Sequence, residues 1–146
     1  MNAADLKRYG FKPVARVQIA ERVFEIDNKD PDAVKLTECI YAFVAGGKVV
    51  RVGSSKAPLG TRLKDYERDI TNALNGRKSP APAEEARKWR KALPSGSSGT
   101  VYARRGTIVT TPLGKFPVYM DEESRLIGML FNEHPHDHVI NRNKHR

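Results

Sequence analysis

Two short runs rich in β-branched and aromatic residues, 39–45 and 48–54, lie on either side of the pair Gly46-Gly47. Glycine adopts the positive φ angles of a tight two-residue turn without steric cost, so a glycine pair between two such runs favours an antiparallel connection. The sequence therefore predicts a β-hairpin, and the rest of the chain must fold around these two adjacent strands.

The remaining periodicity predicts a mixed fold. Apolar residues recur at steps of three and four in the segments that we expect to be helical, and Asp121 is the expected N-cap of the last one. Helices are expected at 59–75, 83–93 and 122–132, strands at 100–109 and 116–120, and either a strand or a helix at 14–26. This order predicts an α+β fold with a short central β-sheet that contains the hairpin and is flanked by helices on both sides.

The chain of 146 residues and 16.3 kDa is long enough for one domain but not for two. Its single cysteine, Cys39, excludes an intramolecular disulfide framework. No apolar run approaches the roughly 20 residues that span a bilayer, and 1–10 has no apolar signal-peptide stretch. We expect a soluble, cytoplasmic protein with no membrane partner. An N-terminal extension, 1–38, would pack on the same domain as the core at 39–132, which precedes a His-rich polar tail, 133–146.

The positive charge is concentrated in one internal segment. The chain carries 26 lysines and arginines against 17 aspartates and glutamates, a net charge of +9. Residues 39–109 hold fourteen basic and five acidic side chains, whereas 1–38 and 110–146 are each balanced. A folded region with this much positive charge is typical of a surface that binds phosphates, although a solvated basic face that maintains solubility produces the same pattern.

The hairpin and the helices after it carry side chains capable of chemistry. The relevant segments, in order, are Cys39-Ile40-Tyr41, Arg51-Val52-Gly53, Arg62-Leu63-Lys64-Asp65-Tyr66 and Glu123-Ser124-Arg125-Leu126-Ile127. This ordered set resembles the GIY-YIG nuclease family, whose two tripeptides lie on a hairpin. Glu123 shares a helical face with Ile127 and Leu130, and a carboxylate aimed along an apolar stripe needs a cation. Simple helix-dipole complementarity in the first turn is the alternative explanation for Glu123.

The resemblance implies a divalent-metal-dependent endonuclease that hydrolyses phosphodiester bonds in DNA without an organic cofactor. It implies that Glu123 binds Mg²⁺ or Mn²⁺ and that Arg62 holds a phosphate oxygen. Tyr41 would orient or deprotonate the attacking water. The family also places an asparagine after the glutamate helix, for which Asn141 is the first candidate and Asn132 the second, with a spacing that differs from the family pattern in both cases.

The sequence departs from the family pattern at two positions. Cys39 stands in place of the first glycine, and Arg51 stands in place of the second tyrosine. Arg51 and Lys56 flank the same end of the hairpin, where they would bind phosphate or simply add to a basic surface. We hypothesise that these cations lower the pKa of Tyr41 from about 10 towards neutrality. On this hypothesis Arg51→Tyr keeps activity and Tyr41→Phe removes it.

Other residues have weaker signals. The basic side chains expected to contact the DNA backbone are Lys64, Arg87, Lys88, Arg90, Lys91, Arg104 and Arg105. Trp89, which lies among them on the second helix, is expected in the core. The histidines of the tail, His134, His136, His138 and His145, favour a polar segment over a metal site.

Two alternatives stay open at this point. Because Arg51 breaks the tyrosine pattern, the chain is alternatively a catalytically inactive GIY-YIG-like domain that binds nucleic acid. Without the resemblance, it is a basic interaction module in which Tyr41 and Glu123 have only structural roles. The sequence sets no oligomeric state.

Overall fold

The computed structural model describes residues 1–133 and 137–141. Its elements are α1 (Ala3–Arg8), β1 (Lys12–Ala20), β2 (Val23–Asn28), β3 (Cys39–Ala45), β4 (Lys48–Ser55), α2 (Leu59–Leu74), α3 (Ala83–Ala92), β5 (Gly99–Arg105), β6 (Ile108–Thr111), β7 (Gly114–Pro117) and α4 (Tyr119–Phe131). A short 3₁₀ turn, Ala33–Lys35, lies between β2 and β3. Within these described ranges, no helix has both the length and the apolar character needed to cross a bilayer.

Five strands form one antiparallel sheet in the order β2-β1-β5-β3-β4, and helices cover both of its faces. Alternation along β3 directs Tyr41 and Phe43 towards α2 and α3. Ile40 and Ala42 point the other way, into the core that α1 and α4 complete. Trp89 of α3 is fully buried against the first face, as expected. The predicted α+β architecture is therefore confirmed.

The predicted hairpin is formed by β3 and β4. Gly46 and Gly47 have φ angles of +59° and +77°, the positive values that a tight turn of this kind requires. The register pairs Tyr41 with Gly53 and Phe43 with Arg51. Because paired residues point to the same face of a sheet, Arg51 and Gly53 lie on the side of α2, together with Tyr41.

The N-terminal segment contains more structure than its sequence pattern predicts. Segment 14–26 is not one element but parts of two strands, β1 and β2, which turn at Glu21 and Arg22. These two residues adopt φ angles of +51° and +64° without being glycines, so the usual sequence signal for a turn is missing. Since β1 pairs with β5, residues 1–38 supply two strands of the central sheet.

The boundaries before α4 also differ from prediction. The strand expected at 100–109 ends at Arg105, and the segment expected as a strand at 116–120 enters α4 at Tyr119. Asp121 is therefore inside the first turn of α4 and does not cap it. Between β5 and α4 the chain forms a small separate hairpin, β6 and β7, with Leu113 88% exposed near its turn. Helices α2 and α3 match their predicted ranges to within one residue.

Both outer strands of the sheet have backbone groups that other segments satisfy. On β2, the amides of Phe24 and Ile26 donate to Thr71 Oγ1 and Glu67 Oε2 of α2, each at 2.9 Å. On β4, the carbonyl of Val50 accepts a 2.6 Å hydrogen bond from the amide of Ile140. An unpaired sheet edge is a template for association with other chains, and these contacts block both edges in part.

Candidate active site

A cavity of about 360 Å³ lies along the β4 edge of the sheet, where α2 approaches from one face and α4 from the other. Five residues singled out from the sequence line it together: Tyr41, Arg51, Arg62, Glu123 and Asn141. They come from β3, β4, α2, α4 and the segment after α4. The fold thus brings residues separated by up to 100 positions to one opening.

Gly53 gives Tyr41 its place in the cavity wall. The ring of Tyr41, which is only 2% exposed, lies directly over the backbone of Gly53 on the neighbouring strand. A methyl group added at residue 53 would lie 2.3 Å from Tyr41 Oη and 2.4 Å from Tyr41 Cζ. Only glycine leaves room for the ring, which is a packing reason for glycine at this position.

The pKa of Tyr41 changes in the direction opposite to the hypothesis. Its hydroxyl donates a 2.9 Å hydrogen bond to Tyr66 Oη. Burial raises the pKa of Tyr41 well above its ordinary value, and the neighbouring Tyr66 raises it further. Arg51 and Arg62 act in the lowering direction but do not compensate. The expectation that cations bring Tyr41 near neutrality is therefore wrong, because the loss of hydration outweighs them.

Arg51 is a cation held inside the cavity wall. Its Nε donates to Tyr66 Oη at 3.1 Å, and its Nη1 lies 3.6 Å from Glu85 Oε1. Burial opposes the charge, but the Tyr66 hydroxyl and the Glu85 carboxylate outweigh burial and raise the pKa of Arg51. Glu85 is fixed in turn by a 3.4 Å hydrogen bond from Trp89 Nε1.

Arg62 places a positive charge at the cavity. It lies in the first turn of α2, four residues before Tyr66, so the two side chains share a helical face. Its side chain is exposed, and it forms no ion pair with any residue in 1–133 or 137–141. Arg68 of the same helix is instead paired with Asp65 and Asp69. Arg62 is therefore free to bind an anion such as a phosphate.

Glu123 is a half-buried carboxylate on the opposite wall. Because α4 begins at Tyr119, Glu123 is its fifth residue. The helix dipole acts most strongly within the first turn, and Glu123 lies just beyond that turn. Its Oε1 accepts a 2.7 Å hydrogen bond from the hydroxyl of Ser54, and no lysine or arginine in the described ranges pairs with it. A carboxylate without a cation in a polar opening fits a divalent metal ion.

These residues fit a metal site with few protein ligands. Within the described part of the chain, no cluster of three or more histidine, cysteine, aspartate or glutamate side chains is positioned to hold an ion. Mg²⁺ is commonly bound by one or two carboxylates, with water and substrate phosphate oxygens completing its shell. Glu123 alone suits that pattern and does not suit a fully protein-enclosed site.

Asn141 reaches the cavity and also completes the sheet edge. Its Oδ1 accepts from the amide of Val52 at 2.8 Å, and its Nδ2 donates to the carbonyl of Val52 at 2.8 Å. The side chain is buried, with the residue 7% exposed. An amide side chain thus replaces the backbone of a neighbouring strand. Asn132, the other candidate, is exposed at the end of α4, outside the cavity.

We expect Asn141→Ala to destabilise the protein. It leaves a buried donor and a buried acceptor of Val52 unpaired, and each such group costs about 1–3 kcal/mol. Urea denaturation measures the loss, and Asn132→Ala is the matched control, expected within about 0.5 kcal/mol of the wild type because its side chain is at the surface. Equal stability of the two variants would contradict the structural role of Asn141.

The remaining predicted residues lie elsewhere. Lys56, Lys64 and Arg105 are exposed and do not line the cavity. Arg104 is not available to DNA in the way expected: it pairs with Glu122 and lies over the Phe11 ring in a second, mostly apolar cavity.

The basic residues of α3 divide into two groups. Arg87, Arg90 and Lys91 are exposed, and Arg87 also pairs with Glu84 at the surface. Lys88 is half-buried and donates to the carbonyl of Val139 at 3.4 Å. His134, His136 and His145 lie outside the described residues.

Sequence reasoning assigned no role to Ser54, Tyr66 or Glu85, which also line the cavity. Tyr66 ends the motif segment that begins at Arg62, and its spacing of four from Arg62 is a signal that both side chains face one site. Ser54 follows Gly53 directly and is opposite Ile40 in the register, which places it on the face of α4. No sequence pattern around Glu85 indicates that its carboxylate pairs with Arg51 of β4.

Comparison with known proteins gives a fold but no family. No protein-family model matches the chain, and no curated protein matches it. Two solved structures align over most of its length. A mutant of bacteriophage T4 EndoII has a TM-score of 0.58 at 21% identity, over 90% of this chain and 96% of that one. The restriction endonuclease HPY188I, solved in complex with product DNA, has a TM-score of 0.53 at 18% identity, over 91% and 82%. At these identities the likeness shows a shared fold.

Proposed function

We propose that this protein is a divalent-metal-dependent DNA endonuclease of the GIY-YIG type. The observation that carries the proposal is the meeting of Arg62 and Glu123 across a cavity lined by tyrosines, where neither side chain has an ion-pair partner among residues 1–133 and 137–141. The shared fold adds support, since one neighbour is a restriction endonuclease bound to product DNA.

In this proposal, the residues on the two walls of the cavity have different roles. Arg62 binds a non-bridging oxygen of the scissile phosphate by charge-assisted hydrogen bonds, which strengthen as negative charge develops in the transition state. Glu123, oriented by Ser54, holds Mg²⁺ or Mn²⁺. The ion, when bound, polarises the phosphate and lowers the pKa of water. The exposed residues Lys56, Lys64, Arg90, Lys91 and Arg105 contact the DNA backbone.

A catalytically inactive nucleic-acid-binding domain is the second candidate. Its specific support is Tyr41, whose hydroxyl is buried and engaged with Tyr66, and Arg51, which stands where the family has a tyrosine. The two candidates differ in one test. An endonuclease nicks supercoiled plasmid at low salt in Mg²⁺ or Mn²⁺, and the nicking stops when EDTA is added. An inactive domain binds the plasmid with a steep salt dependence and leaves it intact.

We expect Arg62→Ala to reduce plasmid nicking by about 10²–10³-fold, because it removes a group that stabilises transition-state charge. Arg68→Ala is the matched control on the same helix, since Arg68 is already paired with Asp65 and Asp69 and does not line the cavity. Nicking rates and thermal melting are measured for both variants. A similar loss of nicking in both would mean that α2 contributes only general positive charge.

A further inference from the structure

We propose that the β6–β7 hairpin is a wedge that enters duplex DNA beside the proposed cleavage site, with Leu113 inserted into the base stack. The inference rests on the proposed nuclease function and deepens it, since it names the contact that selects where the protein binds its DNA. It begins from a concentration of exposed apolar side chains. Of the eight large apolar residues that are exposed in the described ranges, four lie on this hairpin: Ile108, Val109, Leu113 and Phe116.

The tip of the hairpin holds Leu113 outward. Strands β6 and β7 form a two-stranded sheet of their own, separate from the central sheet. The hydroxyl of Thr111 donates to the carbonyl of Gly114 and accepts from the amide of Leu113, each at 3.1 Å. Pro112, between Thr111 and Leu113, has a fixed φ angle. The turn is thus braced before any partner binds, and Leu113 is 88% exposed.

The base of the hairpin is fixed to the helix that carries Glu123. Thr107 donates through its amide and its hydroxyl to the carboxylate of Glu122, both at 2.8 Å. Its carbonyl accepts from the amide of Val118 at 2.9 Å, directly before α4 begins. The backbone path from Leu113 to Glu123 limits the separation of their Cα atoms to about 24 Å, or about seven base pairs of duplex. One duplex can therefore meet both residues.

The hairpin leaves the central sheet at the end where the cavity lies. Arg105, the last residue of β5, is opposite Cys39 of β3, and Cys39 is in turn opposite Ser55 of β4. Ser54, the neighbour of Ser55, lines the cavity. Two strand spacings, about 10 Å, thus separate the start of the hairpin segment from the cavity end of β4.

The charge and the side chains of the hairpin fit DNA. No acidic residue occurs between Arg105 and Asp121, so nothing in this stretch repels phosphates. Lys115 is exposed opposite Thr110, where it can neutralise a backbone phosphate. Apolar side chains such as leucine and proline, presented at the tip of a DNA-binding element, separate base steps and kink the duplex. The hairpin combines this apolar tip with a basic flank.

The test uses a duplex with one central mismatch, because extruding or unstacking a base costs less there than at a paired step. Binding is measured at low salt in EDTA, with 2-aminopurine beside the mismatch to report unstacking. We expect the wild type to bind the mismatched duplex about 10-fold more tightly than the fully paired one and to raise the 2-aminopurine fluorescence. Leu113→Ser should bind both duplexes within about 2-fold of each other, with no fluorescence rise. Leu113→Met keeps an apolar tip and should retain both properties.

Val23→Ser is the matched control. Val23 is 44% exposed and lies on β2, the edge of the sheet farthest from β4. This variant should bind and unstack the mismatched duplex as the wild type does, and thermal melting verifies that each variant is folded. In Mg²⁺, the wild type should nick the mismatched duplex within about seven base pairs of the mismatch, whereas Leu113→Ser should nick it at scattered positions.

Equal preference for the mismatch in the wild type and Leu113→Ser, with nicking at the same positions, would overturn the wedge and leave the nuclease function intact. A wild-type dimer that Leu113→Ser converts to a monomer would also overturn it, because the hairpin would then be an interface between copies of this chain. A wild type that unstacks the mismatch but cleaves no DNA in Mg²⁺ or Mn²⁺ would support the wedge and overturn the proposed catalysis. A wild type that neither binds nor cleaves DNA would overturn both.

Discussion

We expect Glu123→Gln to lower plasmid nicking in Mg²⁺ by about 10²–10³-fold, the scale typical of losing a group that stabilises transition-state charge. The neutral amide is nearly the same size as the carboxylate and still accepts the hydrogen bond from Ser54. The fold should therefore survive, while the negative charge that would hold a divalent cation is lost. Nicking assays over a range of Mg²⁺ and Mn²⁺ concentrations measure the effect, together with thermal melting.

The neighbouring Glu122 provides the control. Its carboxylate pairs with Arg104 and accepts from the amide and the hydroxyl of Thr107, away from the cavity. Burial works against its charge, yet the hydrogen bonds from Arg104 and Thr107 prevail and lower the pKa of Glu122. Glu122→Gln should thus reduce stability by about 1–3 kcal/mol and leave nicking intact. Full activity in Glu123→Gln would exclude a metal held by that carboxylate.

We expect Gly53→Ala to destabilise the protein by at least about 3 kcal/mol, the upper part of the range for overpacking a core. The added methyl would overlap the ring of Tyr41, which cannot withdraw because Tyr66 and Phe43 pack against it. For a chain of this size such a loss lowers Tm by roughly 6–12 °C. Nicking should also be lost, since any accommodation displaces the cavity wall.

Gly128→Ala is the control for adding a methyl group. Apart from its chain neighbours and the backbone of its own helix, no atom of the described chain lies within 4 Å of the new carbon. Gly128 is inside α4, where alanine is favoured over glycine by about 1 kcal/mol. Its Tm should equal or exceed that of the wild type, with nicking unchanged. A Gly53→Ala protein that melts within 2 °C of the wild type would contradict the close contact between β3 and β4.

Much of the architecture follows from local sequence signals. The Gly46-Gly47 pair located the hairpin, and the apolar spacing of α2 and α3 located both helices to within one residue. The N-terminal strands were harder to separate, because their turn uses Glu21 and Arg22 in a conformation that other residues rarely adopt. The pairing of β1 with β2 holds this turn in place. That pairing cannot be predicted from the few residues around the turn.

The candidate site was predictable in its members but not in its electrostatics. Motif order brought Tyr41, Arg62 and Glu123 into consideration, and the structure places all three at one cavity. Burial could not be predicted from the sequence, and burial decides the pKa of Tyr41. The partner of Arg104 could not be predicted either, since Glu122 lies 18 positions away and meets it only in the folded chain.

The closure of the β4 edge by Asn141 has a consequence for how the protein folds. Asn141 and Val52 are 89 positions apart, so this wall of the cavity forms by closing a long loop. Loop closure of this kind carries an entropic cost that only the final contacts repay, so long-range contacts generally form late. The pairing of β1 with β5 closes loops of similar length, since Lys12 is opposite Ala103, but the five-strand sheet forms without Asn141, whose side chain is added only at its outer edge. Catalytic competence would then lag behind compaction during refolding, and nicking activity would return more slowly than the fluorescence change that follows burial of Trp89.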